Sequence, residues 1–338
     1  MNLKILCNEV FDNRDYYKWD YYNCLNDYTF EDIWHNPECF IKQMFDRGGK
    51  SEFWKDISLS TRRYKHMMVA FFLGHYISKN FSIFDNLNND GSFFPWAWFL
   101  CCLYHDAYSD SERKMKGRRY HKDYSDYRRY YFDKPNHALY GLNIINGYDN
   151  YRFKYCNKKR DHGIYAADRL AKSYNRIFNQ FNLRQVFLAN NLYIDEELCD
   201  RVNHIAQVIA CHNLFLCQNK DDEYMYDACG LQELIPTQNC SCKMPKFLNY
   251  YGQMYFLLCL CDNIEPTKRG IDLAVLHIDV NNGIEIKLPN DNITHYYYAK
   301  TQFELNSWLN YIKVSVENKD NKYTIKYEIN KNEQSTEN

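Results

Sequence analysis

An almost wholly apolar run from Phe93 to Tyr104 ends in two adjacent polar side chains, His105 and Asp106. A run of that composition must be buried, and it is too short to span a bilayer, so no membrane span is expected. An imidazole and a carboxylate delivered from the end of a buried helix are costly to desolvate unless something pairs with them. A divalent cation is the simplest partner, because both side chains are metal ligands.

Two further helices supply residues of the same kind. In Arg63-Tyr-Lys-His66-Met-Met-Val-Ala-Phe-Phe-Leu-Gly, His66 shares a helical face with Val69, Ala70 and Leu73 and therefore points inward. In Met254-Tyr-Phe-Leu-Leu-Cys-Leu-Cys-Asp262-Asn-Ile-Glu-Pro-Thr-Lys-Arg269, Asp262 shares a face with Tyr255, Leu258 and Cys259. One His, one His-Asp pair and one Asp on three inward faces make a four-ligand metal set.

The order His … His-Asp … Asp on separate helices resembles the HD-domain superfamily of metal-dependent phosphohydrolases over roughly residues 60 to 269. The Arg-x-x-His opening at Arg63 and the Asp-x-Ile-Glu-Pro-x-Lys-Arg close from Asp262 resemble that family's helix ends. The resemblance implies a mainly α fold, an HD-domain helical bundle, with one or two divalent ions (Mn, Fe, Ni, Co, Zn or Mg). It also implies hydrolysis of a phosphomonoester, phosphodiester or polyphosphate by a metal-activated water. HD domains with two metals carry further histidines between the His-Asp pair and the final Asp, and three positions here are similar. His137 opens Asn136-His-Ala-Leu-Tyr-Gly141, His162 opens Asp161-His-Gly-Ile-Tyr-Ala166, and His212 closes Ile209-Ala-Cys-His212 on the face of Ile205, Val208 and Ile209. At least two of the three are expected to face the metals. Asp106 would bridge two ions through its two oxygens, and Asp106 and His162 are the expected catalytic pair. Asp161 would either orient His162 or cap the helix.

A lone histidine on an apolar face is usually a satisfied core residue, and it is the shared register with His105-Asp106 and Asp262 that argues for ligands here. His204 sits off its helix's apolar stripe and His35 lies in a polar patch; both read as surface or capping residues.

The chain departs from the family pattern in one place. Many HD domains follow the His-Asp pair with a glycine and a phosphate-binding lysine, whereas here Ala107-Tyr108-Ser109-Asp110 follows. Three replacements are open. One is the basic insertion at 107–135, in which nine Lys/Arg, among them Arg118 and Arg119, stand against five Asp/Glu. Such a segment is either a solvated loop or a cover that meets substrate phosphates. The others are Lys158, Lys159 and Arg160 ahead of His162, and Lys268 and Arg269.

At 338 residues the chain can hold a large and a small domain. Its formal net charge of -1 makes no general case for a nucleic-acid or acidic-membrane partner. The fourteen cysteines sit largely in apolar runs, and the apolar core of Met1–Glu9 is too short for a secretory signal. Buried thiols in a reducing cytoplasm are expected. Cys211, Cys217, Cys229, Cys240 and Cys242 form no C-x-x-C pair, which argues against a structural zinc.

Residues 1–60 are expected to form helices that pad the outside of the core, around Tyr16–Leu25 and Phe30–Phe45. After residue 269 the period changes from helical to alternating. Strands at Leu273–Val280 and Ile284–Leu288 around Asn281-Asn-Gly, a helix at Tyr298–Ile312, and strands from Lys313 and Tyr323 make a ββαββ α+β module over 270–330. Its apolar faces should dock on the helical domain, and residues 331–338 read as a disordered tail.

Three functions fit. The first is a phosphohydrolase acting on a nucleotide or related small phosphoester. The second is a single-strand nuclease resembling the HD nucleases of CRISPR systems, with the insertion's tyrosines stacking on bases. The third is a non-catalytic metal-binding scaffold or sensor. Oligomeric state is not legible.

Overall fold

The computed structural model describes residues 1–19, 25–47, 59–90, 93–108, 162–179, 196–213, 250–271, 275–279, 283–305, 312–320 and 322–329. The insertion from residue 109 with Arg118 and Arg119, His137, the stretch with Lys158, Arg160 and Asp161, and the tail 331–338 lie outside them.

The axis of the fold is α5 (Thr61–Asn80), buried on nearly every side from Arg63 to Ser78. A helix apolar all round has to be enclosed by others. It packs against α1 (Leu3–Asp12) and α4 (Pro37–Arg47) on one side, and against α7 (Phe93–Tyr104) and α10 (Tyr250–Ile264) on the other. Between α5 and α7 come a 3-10 turn (Ser82–Phe84) and α6 (Asp85–Asn88). The pair α8 (His162–Asn179) and α9 (Glu196–Cys211) packs together and onto α7.

The contact between α5 and α7 is close for a specific reason. A Cβ on Gly74 would fall 2.1 Å from the Trp98 ring, and the Trp98 indole N–H donates to the Phe71 carbonyl at 2.9 Å. Only a residue without a side chain lets that ring lie across the helix backbone. Pro95 in the first turn of α7 removes no intrahelical hydrogen bond.

The N-terminal helices belong to the core and do not merely pad it. Leu6, Cys7 and Val10 of α1 are fully buried, and Trp19 is buried with its indole N–H on the Val10 carbonyl and its ring against Phe71 and Phe72. The helix expected to continue from Tyr16 ends at α2 (Arg14–Tyr17), where Lys18 turns left-handed (φ 56°) and drops Trp19 inward. The helix expected over Phe30–Phe45 is two: α3 (Phe30–His35), opened by a Thr29/Asp32 capping box, then α4, started afresh by Asn36, whose side chain accepts from the Cys39 N–H. His35 is exposed and pairs with Glu31.

The C-terminal module is a four-stranded antiparallel sheet in the order β1-β2-β4-β3, with β1 (Val275–Asp279), β2 (Gly283–Pro289), β3 (Ile312–Lys319) and β4 (Lys322–Ile329). Leu276, Ile284, Ile286, Leu288, Ile325 and Tyr327 form its buried face. The helix between β2 and β3, α11, spans Asn292–Leu305, earlier than expected, because Asp291 accepts from the Thr294 N–H at 2.7 Å and caps it; Ile312 opens a strand. The module is stitched to the end of α10. The Tyr297 hydroxyl donates to the Ile264 carbonyl, the Thr301 hydroxyl to the Asn263 carbonyl at 3.2 Å, and the Leu276 N–H to the Met1 carbonyl at 2.6 Å.

Among the described residues, the mean composition is that of a mainly helical chain with one small sheet, and no helix is long and apolar enough to cross a membrane. Cys7, Cys101, Cys102, Cys211, Cys259 and Cys261 are buried.

Two outcomes test this packing. Gly74→Ala should lower stability by on the order of 1–3 kcal/mol in urea unfolding, because the Trp98 ring must shift; an unchanged midpoint would remove the close contact from the account. His75, buried among Tyr17, Phe71 and Phe94, is pulled down to about 3 by burial and then by the Lys79 charge. An unfolded histidine takes its proton near 6.5, so in that window the unfolded chain binds more protons and stability falls as pH drops. The loss from this residue should be on the order of 2 kcal/mol at about pH 5, and His75→Phe should abolish that share of the acid sensitivity. Parallel stability-pH curves for wild type and variant would contradict it.

Candidate metal centre

Each side chain of the centre arrives from an element end or an inward helix face. His66 lies on the buried face of α5. His105 continues the last turn of α7, its N–H on the Cys101 carbonyl at 3.0 Å, and Asp106 follows it. His162 is the first residue of α8, and His212 follows the last residue of α9. Asp262 sits in the last turn of α10, just ahead of the residues that anchor the C-terminal module.

The donor atoms form two groups that share one residue. In the first, single donor atoms of His66, His105, Asp106 and Asp262 all lie within 4.8 Å of one another, and all four residues are buried. In the second, Asp106, His162 and His212 meet the same limit, with His162 partly exposed. The His66 Nε2 stands 2.9 Å from Asp262 Oδ1, 3.1 Å from His105 Nε2 and 3.5 Å from Asp106 Oδ2. The His105 Nε2 is 3.4 Å from Asp262 Oδ1. On the other side, His162 Nε2 is 3.1 Å from Asp106 Oδ1. The His212 ring lies edge-on to both His105 and His162, at 5.3 and 5.2 Å between centroids.

The opposite ring nitrogens are fastened. His105 Nδ1 donates to the Cys102 carbonyl at 2.9 Å, and His212 Nδ1 donates to the Ile209 carbonyl at 2.7 Å. His66 Nδ1 is 2.7 Å from Glu265 Oε2. Glu265 is itself held by the Thr267 and Lys268 backbone N–H groups. In a neutral imidazole a proton on Nδ1 leaves Nε2 as a lone-pair donor. Outer acceptors that settle the tautomer in this way are characteristic of metal-ligating histidines.

This donor set fits a divalent cation. The Nε2 atoms of His66 and His105 stand 3.1 Å apart, with Asp262 Oδ1 within 3.4 Å of both, so three ligand atoms lie close enough together to share one cation. Burial pulls the His66 imidazole down, but hydrogen bonds to Asp262 and Glu265 outweigh it and raise its pKa above the ordinary value. A proton there answers one contact; a metal would answer four. Burial also works against ionising Asp106 and Asp262. The Lys268 charge, joined at Asp106 by Arg63 and at Asp262 by hydrogen bonds from His105 and His66, overcomes it and holds both carboxyls well below the usual range.

The structure thus brings together His66, His105, Asp106, His162, His212, Asp262 and Lys268. It carries Arg269 elsewhere, over the Tyr297 ring and onto the Asn263 carbonyl, so this residue anchors the C-terminal module. His204 is exposed and stacks on Tyr251. Three residues at the site were given no role from sequence. Glu265 fixes His66, Arg63 pairs with Asp106, and the Asn213 amide lies 3.2 Å from His162 Nε2. The first two had a signal: Arg63 is one turn before His66, and Glu265 is three residues past Asp262. In comparison with known proteins, no protein-family model, no curated protein and no solved structure matches this chain.

Proposed function

We propose that the chain is an HD-type metal-dependent phosphohydrolase holding two divalent cations, one on His66, His105, Asp106 and Asp262 and one on Asp106, His162 and His212. The observation that carries this reading is the division of Asp106. Its Oδ2 faces His66 at 3.5 Å and its Oδ1 faces His162 at 3.1 Å, so one carboxylate belongs to both donor groups. When bound, such ions supply a water-derived nucleophile near neutral pH and take up charge on phosphoryl oxygens.

The chain's own residues do the rest. Glu265 keeps the His66 proton on Nδ1 and aims the ring, while the Cys102 and Ile209 carbonyls do the same for His105 and His212. The four donors of the first group are buried, whereas the side chains of His162, Lys268 and Arg63 around them are 14%, 13% and 11% exposed. A substrate therefore reaches the centre past these three side chains. The substrate class that this chemistry suits is a nucleotide or related phosphoester.

Elemental analysis tests the reading. Wild type reconstituted with manganese should carry about two equivalents, Asp106→Ala about none and His212→Ala about one. No metal in reconstituted wild type would overturn it, and two metals without turnover of any nucleotide or other phosphoester would leave a binding scaffold in place of an enzyme. Glu265→Gln should keep the fold but weaken metal retention by roughly 10–100-fold in a chelator competition, the range expected for an outer partner of a ligating histidine; retention equal to wild type would show that Glu265 does not tune His66.

A further inference from the structure

We infer that Arg63 and Lys268 form a metal-gated anion clamp, two cations that neutralise Asp106 and Asp262 in the metal-free protein and turn to a phosphoryl group once a divalent cation takes over those carboxylates. The inference rests on the metal reading above and adds which residues hold the phosphate and when.

The Lys268 ammonium lies 2.5 Å from Asp262 Oδ1 and 3.5 Å from Asp106 Oδ2. The Arg63 guanidinium pairs with the same Asp106 Oδ2. These two oxygens are the ones that face the His66 and His105 nitrogens. Side-chain cations and metal thus compete for the same acceptors, and a divalent ion among them repels both side chains. Neither cation can retreat far. Arg63 is rooted in the first turn of α5, and the Lys268 backbone N–H is held by Glu265 Oε2 at 3.1 Å, which leaves only the flexible lysine stem to swing. Displaced from the carboxylates, they stay beside the ions, where a guanidinium fork and an ammonium suit phosphoryl oxygens. The residues directly after the His-Asp pair supply no cation, since Ala107 and Tyr108 stand there, both buried. The basic role missing from that position is met from α5 and from the turn after α10.

Reciprocal linkage supplies the test. Free manganese, read by its electron paramagnetic resonance signal, reports metal affinity with and without inorganic phosphate; circular dichroism reports folding. For wild type, phosphate should tighten manganese binding by about tenfold or more. In Lys268→Met, manganese should bind about tenfold tighter than in wild type without phosphate, because a competitor is gone, and phosphate should then tighten it by less than about threefold. Lys268→Arg should preserve most of the phosphate effect. Should Lys268→Met fail to fold, Arg63→Gln carries the same two readouts. Unchanged manganese affinity together with an unchanged phosphate effect in the variants would overturn the clamp while leaving the metal centre standing. Failure of wild type to bind manganese would overturn the metal reading and the clamp with it.

Discussion

Three carboxylates and three imidazoles gathered in a closed interior, those of Asp106, Asp262, Glu265, His66, His105 and His212, set the terms for the rest of this molecule. Buried carboxylates are tolerated only with compensating charge, and here the compensation comes from Lys268 and Arg63, with a further proton drawn toward His66. Every element that meets at the centre ends there or turns an inward face to it. The buried apolar mass, Trp19, Phe72, Phe256 and Leu260 among it, keeps water out and so makes each of these charges matter.

The C-terminal module belongs to this arrangement although none of its described residues joins the two donor groups. Tyr297 and Thr301 bind the carbonyls at the end of α10, one and two residues past Asp262, and Arg269 stacks on Tyr297. These contacts satisfy the helix-end carbonyls that would otherwise be orphaned and hold the turn that carries Glu265 and Lys268. The module therefore supports the site from behind, which accounts for its position directly after the last ligand helix.

Much of the candidate site was legible because carboxylates at the ends of strongly apolar helices stand out: Asp106 after Phe93–Tyr104, Asp262 after Met254–Cys261. The N-terminal helices were less legible. Caps such as Asn36 before Cys39, and Asp291 before Thr294 in the C-terminal module, are single side-chain contacts that a periodicity argument smooths over, and aromatic residues such as Trp19 in a polar stretch give no directional signal until Lys18 turns the chain. Glu265 and Arg63 were in view within quoted motifs, but their roles depend on which ring and which carboxylate stand opposite them.

What the sequence determined by itself is the apolar helices that lead to His66, to His105-Asp106 and to Asp262, the inward direction of His66, His212 and Asp262, and the change to a β-rich module after residue 269, because hydrophobic period is a local property. Tertiary structure alone decided that His162 and His212 meet Asp106 from one side while His66, His105 and Asp262 meet it from the other. It also decided that Lys268 turns toward the centre and Arg269, its neighbour, away. Those outcomes depend on how helices far apart in the chain cross, as where the Trp98 ring lies across Gly74 and lets α5 and α7 approach closely.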